Sequence, residues 1–282
     1  MKNDRRLWLK GLAMLPLAAS LPARADALAR IRQQGRLRVA VYKDFAPYSL
    51  AGGKGIDADL GRALAARLGV AADIVAYTAD EDMSDDLRNM VWKGHYLGTQ
   101  PSDVMLHVPV DRKLAAANDK VRIFAPYHRE TLALARHPGR VPQPAQGSAA
   151  VALEVFTREK IGVETATLAD AFLLSVLNGR LREQVVHFKN VGDAAAALAS
   201  GQLAAVLAPR GELEAAVAGR SELALDAFRL PELPTDGWPL GMAVKVEEAE
   251  LADALAAALA DLKRDGTLAA IFARYGITHL PA

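Results

Sequence analysis

Three strand-like runs separated by two helix-like ones open the patterned part of this sequence, and that alternation constrains the fold more than any other feature. Residues 35–42 alternate apolar and basic side chains at their start, residues 72–77 form a second apolar run, and residues 102–107 a third. Between the first two, Ile56, Leu60, Leu64 and Leu68 recur every four positions, the spacing of one helix face, and Gly69 ends the run. Between the second and third, Leu87, Met90 and Val91 repeat at helical spacing. Ser84 reads as the N-cap of that helix, with Asp85 and Asp86 in its first turn. Strands joined through helices run parallel, and the helices cover the faces of their sheet. Ligands in such sheets bind outside the carboxyl ends of the strands, where the strand order reverses. The third strand ends at His107 and its exit loop runs to Arg112, so this stretch is the first place to look for a site.

The pattern then restarts. Residues 121–125 and 131–135 are two more apolar runs, separated by 126–130, and residues 137–147 are dense in Pro and Gly, which marks a boundary. Beyond it, residues 160–163, 185–188 and 203–207 read as strands. Thr167 caps a helix that carries Leu168, Phe172 and Val176 and closes at Gly179. Residues 193–201 and 211–218 read as further helices. A second breaker-rich passage at 231–239 precedes a last strand at 241–246 and two C-terminal helices ended by Gly266 and Gly276. Two breaker-rich passages bracketing a restarted α/β unit place that unit inside the first, with the chain crossing twice.

Composition removes several function classes. The formal net charge is +1, with basic and acidic residues interspersed, so no nucleic-acid partner is expected. With no cysteine there are no disulfides, thiolate metal sites or cysteine nucleophiles. The acidic loop of Asp80, Glu81, Asp82, Asp85 and Asp86 lacks the regular ligand spacing and turn glycine of a calcium loop, so no metal site is expected. Residues 1–25 read as a cleaved export signal: Lys2, Arg5 and Arg6 make a positive start, 11–21 a short apolar run, and Ala23-Arg-Ala25 a small-x-small site. Asp4-Arg-Arg also resembles a twin-arginine motif, with Asp4 where Ser or Thr is usual, so the choice between that route and general secretion stays open.

The ordered marks along the chain resemble the extracellular solute-binding proteins of family 3, the periplasmic receptors of polar amino-acid ABC transporters. Gly35-Arg-Leu-Arg-Val-Ala-Val is similar to the family's opening strand, Pro47-Tyr48 to its aromatic loop, and Gly55-Ile-Asp-Ala-Asp-Leu60 to its Gly-Phe-Asp-x-Asp-Leu. Phe124-Ala-Pro-Tyr127 resembles the mark before the first crossing, Gly162-Val-Glu-Thr-Ala-Thr167 the opening of the second lobe, and Leu262-Lys-Arg-Asp-Gly-Thr267 the terminal motif. The resemblance implies an α/β, two-lobed periplasmic-binding-protein fold with two crossing strands. One lobe would hold residues 26–134 and 240–282 and the other residues 135–239. It implies a monomeric periplasmic protein without cofactor or catalysis, delivering its solute to an ABC permease.

It also implies ligand-binding positions. Phe45 and Tyr48 correspond to loop aromatics that stack on a ligand, with core packing as the alternative. Arg112 falls near the family's carboxylate-binding Arg, though without the usual Thr-Pro-Glu before it. Thr165 and Thr167 stand at a helix start able to receive an anion. The aspartate that holds a ligand ammonium is absent, and Ala208-Pro-Arg210 stands in its place. With Arg210 gained there, an anionic solute is expected. His107 and Glu164 complete the candidate set and are the residues able to supply an acid, should the cleft be catalytic as in the family's cyclohexadienyl dehydratases. A further alternative is an accessory role beside a periplasmic PQQ-dependent dehydrogenase, suggested by the long 80–98 segment.

Overall fold

The computed structural model describes residues 27–282 except 97, 145 and 146; the export signal expected over residues 1–25 lies outside them. In chain order the first unit contains α1 (Ala27–Gln34), β1 (Arg36–Tyr42), α2 (Ile56–Arg67), β2 (Ala71–Tyr77), α3 (Met83–Leu87), β3 (Val104–Pro109), α4 (Arg112–Ala117) and β4 (Val121–Glu130). The second contains β5 (Leu132–Arg136), α5 (Ala149–Ala152), β6 (Ile161–Glu164), α6 (Leu168–Ser175), β7 (Val185–Phe188), α7 (Val191–Ala199), β8 (Ala205–Pro209), α8 (Arg210–Ala216) and β9 (Ala224–Ala227). The chain then returns through β10 (Trp238–Lys245) to α9 (Ala249–Arg264) and α10 (Thr267–Arg274).

These strands form two five-stranded sheets, ordered β2-β1-β3-β10-β4 and β7-β6-β8-β5-β9. Within each, the three strands linked through helices are parallel, as the alternation predicts, and the crossing strands add antiparallel. The chain changes sheet at Thr131 and comes back between β9 and β10. All of β5 belongs to the second sheet, so the 134/135 division drawn from sequence falls inside a strand.

Several local expectations are corrected. Residues 126–130 do not separate two strands but complete β4, which closes the edge of its sheet. Pro126 is tolerated there because an edge strand leaves one side of its backbone unpaired. Asp82, not Ser84, caps α3: its carboxylate accepts the Ser84 and Asp85 amides at 2.8 and 3.0 Å, an outcome that a charged acceptor favours. A π-helical turn at Arg88–Trp92 continues α3, and Leu87, Met90 and Val91 are buried as their spacing predicts. Thr167 does cap α6, accepting the Asp170 amide.

The first core is built by Leu37, Val39 and Val41 of β1 with Ile56, Leu60 and Leu64 of α2 and Leu251, Leu255 and Leu259 of α9. The second gathers Leu134, Ile161, Val163, Phe172 and Leu207. Each sheet thus has its own apolar core, leaving the carboxyl ends of the parallel strands to face across the seam.

Candidate ligand site between the two sheets

In both sheets the strand order reverses beside the first parallel strand, β1 in one and β6 in the other. Backbone carbonyls diverge there and leave a crevice. A cavity of about 390 Å³ occupies it, lined by Tyr42 at the end of β1 and 43–46 after it, Ala79 after β2, Glu164 at the end of β6, Lys189 to Gly192 at the start of α7, and Glu212 on α8. A larger depression of about 870 Å³ lies at the opposite edge, around Arg38 and Asp103. There the Arg30 guanidinium meets Asp103 at 2.7 Å and the Arg38 amide donates to the same carboxylate, so the Asp103 charge is satisfied internally.

The floor of the first lobe is a stack of three rings. Phe45 and Tyr48 lie 5.2 Å apart, and His107 meets them edge-on at 4.8 and 4.3 Å. The structure therefore brings Phe45, Tyr48 and His107 together. Phe45 reaches the cavity, while Tyr48 and His107 are buried beneath it. His107 sits at positive φ, where the parallel pairing of β3 with β1 has ended. Its ring Nδ1 lies 3.1 Å from Oδ2 of the fully buried Asp57, its amide donates to the Tyr127 hydroxyl at 2.9 Å, and that hydroxyl donates to Asp57 Oδ1 at 3.1 Å. Asp57 also sits in the first turn of α2, where the helix dipole favours a carboxylate. Gly55 makes this loop possible: its φ is +115°, and a Cβ there would stand 2.3 Å from the Tyr48 carbonyl oxygen.

The second lobe contributes charge. Glu164 is half-buried, and burial raises its carboxyl above the usual range. Glu212 is 9% exposed; burial, then the neighbouring Glu164 and Glu130 carboxylates, raise it well above that range. Glu130, at the end of β4, is raised by burial although the Tyr48 hydroxyl and the Thr131 amide donate to it. On the first-lobe side Tyr42 donates to Asp86 at 2.6 Å, and burial followed by the Asp86 charge pushes its hydroxyl upward.

The remaining expected residues are placed elsewhere. Arg112 is exposed in the first turn of α4, whose N-cap is Asp111, and is not among the cavity's lining residues. Arg210 pairs with Glu214 at 2.7 Å and also lies outside the lining. Thr165 donates to the Phe188 carbonyl and Thr167 to the Glu164 carbonyl. The α6 start is already met by a carboxylate of its own helix, since Asp170 accepts the Ala166 amide at 2.8 Å. Sequence reasoning did not find Tyr42, Asp57, Glu130, Lys189 or Glu212. Glu212 alone left a usable signal, as the first acid after the strand end that lacks the family's aspartate.

Two α/β sheets joined by crossing strands, with a cavity between their carboxyl edges, define the two-lobed periplasmic-binding-protein fold. The solved structures most similar to the chain include amino-acid ABC transporter substrate-binding proteins. An ancestral cationic amino acid solute-binding protein matches at 21% identity and a TM-score of 0.69, over 89% of this chain and 99% of that one. An amino-acid ABC transporter substrate-binding protein from Streptococcus pneumoniae, bound to L-arginine, matches at 21% identity and 0.63, over 90% and 100%. The solute receptor for L-cysteine of Neisseria gonorrhoeae matches at 18% and 0.61, over 88% and 92%. At these identities the likeness is one of fold. No family model matches the chain, and no curated protein does.

Proposed function

We propose that the chain captures a small, polar, amino-acid-like solute between its lobes and presents it to an ABC permease, without catalysis of its own. The supporting observation is the cavity of about 390 Å³ at the facing carboxyl edges of the two sheets, to which each lobe contributes side chains. The shell of a small ligand is then complete only when the lobes meet, and closure excludes water from it. The structural neighbours that bind L-arginine and L-cysteine are in keeping with a solute of this size and polarity.

The anionic solute expected from sequence rested on Arg112, Arg210 and the Thr165/Thr167 helix start, and none of these residues lines the cavity. The accessory role beside a quinoprotein dehydrogenase draws no support from these neighbours. A dehydratase role has one point in its favour, the raised carboxyl groups of Glu164 and Glu212 in the cavity, and turnover of a cyclohexadienyl acid would establish it.

We place the mature protein in the periplasm as a monomer, starting at Asp26. Mass spectrometry of the exported protein tests this, and an intact Met1 in the cytosol would refute it. Replacing Arg5 and Arg6 by Lys blocks export only along the twin-arginine route. Solute capture is tested by calorimetry over the amino acids together with solution scattering. A bound solute should compact the particle; binding without compaction would remove lobe closure from the mechanism.

A further inference from the structure

Five carboxylates are buried among the described residues: Asp57, Asp86, Glu130, Asp170 and Glu212. Four have donors. Asp57 faces the Tyr127 hydroxyl, Asp86 accepts from Tyr42, Glu130 accepts from Tyr48 and the Thr131 amide, and Asp170 accepts the Ala166 amide and faces the His187 ring. Among the described residues Glu212 has neither a hydrogen bond nor an ion pair, and it opens onto the cavity. The charges that act on it most are those of Glu164 and Glu130, both of its own sign. An acid that served only packing would be satisfied as Glu214 is, one half-turn further along α8, which accepts from Arg210 and from the Thr278 amide. A buried carboxylate left without a donor between two others is costly to the protein alone, and a cation entering the cavity removes that cost.

We infer that Glu212 is the residue that recognises a positive charge on the solute, with Glu164 as its second carboxylate, so the site takes an amine or guanidinium compound. This rests on the solute-capture reading above and assigns the charge of the solute. The residue stands on the first turn of α8, three positions beyond Pro209, rather than at the end of β8 itself. No group of three or more acidic, His or Cys side chains is arranged to hold a metal ion among the described residues. Phe45, Ala46, Ala79 and Val191 on the same cavity wall suit a short apolar stem, and an aromatic face beside a cation adds attraction. The start of the nine-residue helix α7, with Val191 and Gly192 on the wall and Lys189 beside them, has the opposite polarity and suits a carboxylate on the same solute.

Calorimetry with L-arginine and its uncharged isostere L-citrulline tests the assignment on the whole mature protein and on Glu212→Gln. The wild type is expected to prefer arginine by about 100-fold, and Glu212→Gln to reduce that preference to within about tenfold. The amide removes a buried unpaired charge, so its melting temperature should equal or exceed that of the wild type. Glu212→Ala serves as a second variant. An arginine preference undiminished in both variants overturns the role of Glu212 while leaving solute capture intact. A wild type that binds neutral or acidic amino acids but no solute with a cationic amine or guanidinium side chain, or that binds citrulline as tightly as arginine, overturns the charge assignment alone. A wild type that binds no amino acid or amine overturns both.

Discussion

The Tyr48 hydroxyl of the first lobe donates to the carboxylate of Glu130, the residue at which the chain leaves that lobe. Glu130 also accepts the Thr131 amide at 2.9 Å, so one buried carboxylate ties the aromatic loop to the crossing. Gly211 of the second lobe packs against the same hydroxyl: a Cβ at that position would stand 2.2 Å from it.

Gly211→Ala should therefore destabilise the protein by about 1–3 kcal/mol, because neither the buried ring nor the strand end behind it can move freely. Tyr48→Phe should cost about 1–3 kcal/mol by leaving Glu130 short of a donor. The double variant should cost less than the sum, since removing the hydroxyl relieves much of the clash. Chemical denaturation of the three variants checks this, and strict additivity would mean the two residues do not act on one another.

Asp57→Ala should cost about 2–4 kcal/mol, because the Tyr127 hydroxyl and the His107 ring would lose their shared acceptor in a buried place. The loss should appear in thermal melts with and without solute alike. A variant that melts with the wild type but loses solute affinity would instead make Asp57 a ligand contact.

His128 governs an acid-sensitive contact at the back of the crossing. Its ring packs at a tilt on Phe272, 4.6 Å between centroids, and accepts the Leu280 amide at 3.3 Å, while Leu280 accepts the Arg129 amide at 2.9 Å, fastening the C-terminal tail to β4. Burial, then the nearby His279 and His107, lowers the ring to about 3. A folded-state value below the ordinary one of about 6.5 means that the folded protein resists protonation there. This contribution is complete above pH of about 6.5 and is lost toward pH of about 3, at up to about 1.4 kcal/mol per pH unit. The raised carboxyls of Glu130, Glu164 and Glu212 act with the opposite sign, gaining stability as pH falls. The difference between the wild type and His128→Gln isolates the histidine. Denaturation midpoints from pH of about 7 down to 4 should fall more steeply in the wild type, and parallel curves would refute the assignment.

Arg112→Ala should leave solute affinity and stability within about 0.5 kcal/mol of the wild type, as expected for an exposed side chain with no hydrogen bond or ion pair among the described residues. A loss of about 2 kcal/mol or more in calorimetry would return Arg112 to the role of carboxylate clamp.

The sequence by itself determined the layered α/β alternation, because the helical spacing of Leu60, Leu64 and Leu68 and the apolar strand runs express local geometry, and buried positions follow from that geometry. It also determined the Thr167 cap and the turns at Gly69 and Gly266, where local backbone chemistry suffices. Short elements such as Ala224–Ala227 were not legible, since a four-residue edge strand has too little periodicity to stand out. The extent of β4 depended on Pro126 lying at a sheet edge, which is a property of the sheet order. The charge of the site belongs wholly to the tertiary structure. Glu130 ends β4, Glu164 ends β6 and Glu212 lies in the first turn of α8, and only packing decides which acid gains a donor and which is left facing the cavity. Arg112 and Arg210 looked eligible in sequence for the same reason: residue type is local, but burial and partners are not.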